Sequence, residues 1–168
     1  MKTKYILFLC AAVILIAAGV KYMKSAKGTE ELEEYLLPRE MRIEDIALIS
    51  IKSQGNAVTI SHQDHWTIDG KAVDDAPIVV FIADLYGAKV HRLSNIPLDR
   101  IGLTPDSGAT TITLCDSQSN IIATAILGKV TLSSGDNPSP IGRYALKDGK
   151  PVLLPTPLLQ ADYTPAQW

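Results

Sequence analysis

The residues best suited to chemistry are two histidines three apart, His62 and His65, with Asp64 between them. Zinc takes three or four converging ligands, and imidazoles at that spacing on a hairpin tip could supply two. His91 would complete a set only if residues 89–93 folded against the same tip. Otherwise the pair is a polar turn with exposed imidazoles, which is the favoured reading, and neither a metal nor any other cofactor is expected. Asp74 and Asp75 could act as paired carboxylates, yet an acid just before an apolar run also caps a helix.

Other candidate groups lack the frame their chemistry needs. Gly128-Lys129 is followed by Val130, where a phosphate loop requires Ser or Thr, and no glycine-rich stretch leads into it. Ser133-Ser134-Gly135 has no flanking glycines to make a nucleophile elbow. Cys10 and Cys115 are the two cysteines; with one in an apolar leader there is no disulfide within the body and no cysteine metal cluster. Cys115 reads as a small buried residue on a strand. Nothing assembles a nucleophile, a base and an orienting group. The expectation is a protein that is not an enzyme.

What must position these residues begins with an anchor. Residues 5–20 (YILFLCAAVILIAAGV) carry no charge, with Lys2 and Lys4 before them and Lys21, Lys24 and Lys27 after. A bilayer core about 30 Å thick needs roughly 20 helical residues. Snorkelling by Lys21 and extension through Tyr22 and Met23 make a span feasible. Tyr5 and Tyr22 would lie at the two interfaces, with Leu7, Phe8 and Leu15 in the hydrocarbon. A cleaved secretory signal, cut at Ala17-Ala18-Gly19, is the alternative, and a lipid on Cys10 is disfavoured because Phe8 and Leu9 stand where small residues are wanted. The short leader favours a cytoplasmic amino terminus and an extracytoplasmic body.

Charge divides at the same place. Residues 1–27 hold five of the 16 basic residues and none of the 18 acidic ones, so the remainder carries 11 against 18, a formal charge of −7. Nucleic-acid binding rests on neutralising phosphates, and an acidic body without a basic tract argues against it. The five lysines suit anionic lipid headgroups.

Three parts follow: a membrane anchor over 1–27, a linker over 28–42, and an α+β domain over 43–168. In the linker Thr29 could cap a short helix that presents Leu32, Tyr35 and Leu36 on one face and stops before Pro38. Strands are expected at 46–53 and 57–62 around Gln54-Gly55-Asn56, and at 66–69, with Trp66 capping the core. Asp75 would cap a helix ended by Gly87, whose Ile78, Phe81, Ile82 and Leu85 face a sheet. An extended segment at 89–93 and a helical turn at 97–103 follow, with Gly102 left-handed. Hairpins are expected at 109–115 with 121–127, and at 143–147 with 152–154 about Asp148-Gly149, with Tyr144 half-buried on its strand. Residues 133–141 have loop composition, and 156–162 suit a closing turn. The fold class is therefore a single N-terminal transmembrane helix followed by a small antiparallel-sheet domain, built from hairpins with one packed helix.

An ordered set of residues adds a resemblance. His65-Trp66-Thr67-Ile68, the acids Asp74 and Asp75, Leu98-Asp99-Arg100-Ile101-Gly102-Leu103 before Pro105, Leu127-Gly128-Lys129, Arg143-Tyr144-Ala145 and Val152-Leu153-Leu154 occur in order. Over about residues 43–159 the chain resembles a bacterial domain-of-unknown-function family. That family is carried on single-span envelope proteins, often encoded beside auxiliary ABC transporters of the gliding-motility type. The resemblance brings no catalytic residues and implies a bacterial inner-membrane protein with a periplasmic domain. The expected function is a non-catalytic accessory or scaffold subunit of a larger inner-membrane complex (transport, respiratory or photosynthetic), with an integral-membrane complex and the lipid bilayer as partners. An envelope ligand-binding or sensing module is the alternative, and an envelope hydrolase comes third.

Overall fold

Strands form where apolar residues alternate. In Leu48–Ser53 (β1) Ile49 and Ile51 are buried while Ser50 and Lys52 face outward. Across the ladder Ile49 lies opposite Ile60 and Ile51 opposite Val58 on Asn56–His62 (β2), with a two-residue turn through left-handed Gly55. A period of two fixes this register, because a one-residue slip would turn every isoleucine to water. The computed structural model describes residues 33–94 and 96–168. The expected anchor residues Tyr5, Leu7, Phe8, Leu15 and Tyr22, and the Thr29 cap, lie outside the described residues. Among the described residues no helix is long and apolar enough to cross a membrane.

The meander continues through Trp66–Ile68 (β3) and Lys71–Ala72 (β4). Asp69 and Gly70 both have positive φ, the backbone that a tight two-residue hairpin turn requires. The helix Asp75–Gly87 (α1) follows, then His91–Arg92 (β5), Thr110–Cys115 (β6), Ile121–Leu132 (β7), Pro140–Lys147 (β8) and Lys150–Leu154 (β9). All nine strands form one antiparallel sheet in the order β4-β3-β2-β1-β6-β7-β8-β9-β5. One helix joins the two outermost strands, crossing the apolar face of the sheet. Ile78, Phe81, Ile82 and Leu85 of α1 share one buried cluster with Ile49, Ile60, Ile112 and Leu127 of the strands. This is the small antiparallel-sheet domain with one packed helix that the hairpin pattern predicts.

Several boundaries differ from the sequence reading. Asp74, not Asp75, is the N-cap: its Oδ1 accepts the Ala76 N–H at 3.1 Å, while Asp75 reaches back to accept the Trp66 N–H at 3.2 Å. Gly87 is the last helical residue and Ala88 after it is extended, so the helix ends without a left-handed glycine. β7 and β8 run well past 127 and begin before 143, with register shifts near Gly128 and at Thr131/Leu132. The loop is thus confined to residues 133–139.

The linker helix is corrected over its described part. Residues 34–42 belong to the compact unit Glu34–Trp168 and contain no α-helix. Tyr35 bridges Lys89, the Leu36 N–H donates to the Ala88 carbonyl, and the Val90 N–H donates to Glu34. Leu36 and Leu37 are both buried. Adjacent side chains cannot share one face of a helix, and Pro38 leaves no room for another turn, so pairing with the segment after α1 satisfies this backbone instead.

Candidate functional site

The histidines do not converge. His62 ends β2 with its ring 4.6 Å from that of Trp66, and His65 is exposed in the β2–β3 turn. His91 lies on β5, six strand positions from β2 in the sheet order, so the third ligand is not brought to the tip. No group of three or more His, Cys, Asp or Glu that could hold a metal occurs among the described residues. Asp74 and Asp75 are both spent on local hydrogen bonds. Cys115 is buried on β6 and Tyr144 half-buried on β8. Trp66 is 6% exposed, sealing the core beside β2. Gly102 has φ 73° where the 98–103 turn closes, and Ser133 bonds Ser139 across the mouth of its loop.

One end of the sheet opens into a cleft of about 780 Å³ between residues 40–47, the β2–β3 turn and the β6–β7 turn. Glu44, Asp45, Asp116, Arg42 and His62 line it. Arg42 is engaged by Glu44 at 2.9 Å and by Asp45 at 3.7 Å. The Glu44 N–H and then Arg42 hold the Glu44 carboxyl below its ordinary range. Asp116 is likewise held low, first by the Asn120 side chain, then by the Asn120 and Gln118 backbone N–H groups, whose bonds close the β6–β7 turn. Glu44 and Asp116 are therefore ionised at neutral pH. The cleft offers shape and negative charge, with the His62 imidazole and the Ser117 hydroxyl on its lining.

A second surface is apolar. On α1 the inward residues account for only one side, and the opposite stripe, Ala76, Val79, Val80 and Ala83, is exposed. Val79 and Val80 are 54% and 50% exposed, and no basic residue lies on the helix. A surface helix normally sets charge against its apolar stripe, and one that is apolar all round is normally covered.

The sequence reading misses the most constrained polar group. Arg143 on β8 is 3% exposed; its Nη2 and Nη1 donate to Asp162 Oδ1 and Oδ2 at 2.7 and 2.9 Å, Nε to the Gly128 carbonyl at 2.9 Å, and Nη1 to the Leu158 carbonyl at 3.1 Å. The clip ties the Leu159–Asp162 turn to the sheet behind a left-handed, buried Leu158. The available signal was phase: Arg143 lies two residues from buried Ala145, on the inward side of its strand. This role is structural, because all three guanidinium nitrogens donate to the protein's own oxygens.

No family model matches this chain, and neither a curated protein nor a solved structure matches it.

Proposed function

We propose that this protein is a non-catalytic, membrane-anchored accessory or scaffold subunit of a larger bacterial inner-membrane complex. A single transmembrane span over about residues 5–23 anchors it, and the periplasmic body docks on partner proteins. The observation that carries this reading is the outward stripe of α1, where two half-exposed valines between alanines leave apolar surface that a partner would cover. The uncharged run between lysines supports the anchor. The resemblance to the single-span envelope family supports a transport complex over a respiratory or photosynthetic one. Purification of the intact chain in mild detergent tests it: stoichiometric integral-membrane partners should co-purify, and less so with Val80→Lys. A solitary monomer would overturn the reading.

The open cleft favours a second reading, a periplasmic sensing or ligand-binding module. Its four acids, Glu40, Glu44, Asp45 and Asp116, would select a cationic ligand. Chemical-shift changes confined to residues 40–47 and 116–118 on adding a polyamine would support it, and their absence would reject it.

A further inference from the structure

We infer that the end of the domain around Tyr35 rests on the phosphates of anionic phospholipid headgroups. The inference rests on the membrane-anchored reading and assigns the face that the body turns to the bilayer. Five of the eleven basic residues beyond the leader gather there: Arg39, Lys89, Arg92, Lys147 and Lys150. Their placement follows from contacts with the segment that leads into the domain. The Arg39 guanidinium lies 3.3 Å from the centroid of the Tyr35 ring and 4.9 Å from that of Tyr86. Lys89 pairs with Tyr35, Arg92 holds Glu34 at 2.9 and 3.0 Å, and the Lys147 Nζ donates to the Leu36 carbonyl at 3.4 Å. Lys150 faces Lys147 across the β8–β9 turn, and both line a small cleft with Arg92 and Glu34.

Against these five stand Glu33, Glu34, Glu40 and Asp148, so this end carries a local +1 on a body whose formal charge is −7. Tether length decides which surface it meets. Lys27 closes the basic flank of the expected span, and the six residues 28–33 reach at most about 20 Å when fully extended. The cationic end is therefore held within headgroup range wherever the rest of the body points. Tyrosine beside arginine and lysine is also the composition of a membrane interface, with rings at headgroup level and cations on phosphate. The rest of the body, acidic overall, is repelled by the same surface, so the charge pattern orients the domain as well as holding it. Each basic residue near an anionic leaflet is worth about fivefold in partitioning, so the one excess charge supplies about fivefold.

The test uses the full chain in nanodiscs, with Cys10→Ser, a fluorophore on Ser94→Cys beside Arg92, and a nitroxide quencher on the lipid headgroups. Discs of phosphatidylcholine alone are compared with discs containing one quarter phosphatidylglycerol. Quenching should be several-fold stronger with the anionic lipid, should fall away at about 0.5 M salt, and should be lost in Lys147→Glu/Lys150→Glu. A label on Thr59→Cys, mid-strand on β2, should stay bright in both. Equal quenching in the two lipids, or no effect of the charge reversals, overturns the inference while leaving the anchor intact. A chain that fails to enter the discs overturns the anchored reading, and this inference with it.

Discussion

Breaking the Arg143–Asp162 clip gives the sharpest quantitative test of the fold. Replacing Arg143 by Met removes four hydrogen bonds, leaves the Gly128 and Leu158 carbonyls without their donor, and frees Asp162. Removing one member of a buried ion pair costs about 3–5 kcal/mol, and at 3% exposure no water replaces the guanidinium, so about 4 kcal/mol is expected. The Asp162 carboxylate is 47% exposed. Its removal loses two charge-assisted bonds, but solvent can partly reach the stranded guanidinium, so Asp162→Ala should cost about 2 kcal/mol. The order of the two losses follows from which partner is buried. Urea unfolding of residues 34–168 would read both: with a slope of about 2 kcal/mol per molar, the midpoints fall by about 2 M and 1 M. The double variant should show about 1–2 kcal/mol of coupling. If Asp162→Ala lies within about 0.5 kcal/mol of wild type and the two changes simply add, the clip does not hold the closing turn and the reasoning fails.

Other expectations are simpler. Asp74→Ala should cost about 1 kcal/mol through the lost cap on Ala76, with Asp74→Asn nearly neutral, both read by urea unfolding. Gly128→Ala should cost more than about 3 kcal/mol, because the added Cβ would sit 2.3 Å from the Ile101 carbonyl oxygen, whereas Gly87→Ala, with open space and ordinary φ, should be neutral or stabilising by up to about 1 kcal/mol; thermal melts separate the two. The Asp116 carboxyl is held below its ordinary range in the folded chain, so its contribution is present above the unfolded pKa and lost as pH falls through the lower folded value. Amide protection at Gln118 and Asn120, taken against the intrinsic exchange rate at each pH, should therefore fall below the ordinary carboxylate range, and Asp116→Asn should remove that dependence.

Much of the architecture was legible because it is local. The Ile49/Ile51 and Val58/Ile60 alternation, the Asp148-Gly149 turn and the apolar face of α1 each depend on residues a few positions apart. Asp69-Gly70 carries the same turn signal as Asp148-Gly149, so the short β4 was also within reach. The β7–β8 arm was not: the strands were expected to stop at 127 and resume at 143 with Pro140 in the loop, yet glycine is required at 128 and 142 because the Ile101 and Leu154 carbonyl oxygens pass within 2.3 and 2.4 Å of where a Cβ would be. A close approach by a distant strand or turn leaves no mark near the glycine that permits it.

By itself the sequence determined the hairpins at 48–62, 110–127 and 143–154, the apolar face of one helix after Asp74-Asp75, and that an uncharged run precedes an acidic body. Tertiary structure alone decided that His91 lies six strand positions from His62, that residues 34–42 pair with the chain after α1, that Arg143 meets Asp162 and that five cations gather around Tyr35. Turns and alternation are settled by steric preferences within a few residues. The order of strands depends on which apolar faces can be buried together across the whole chain, and that is a property of the assembled core.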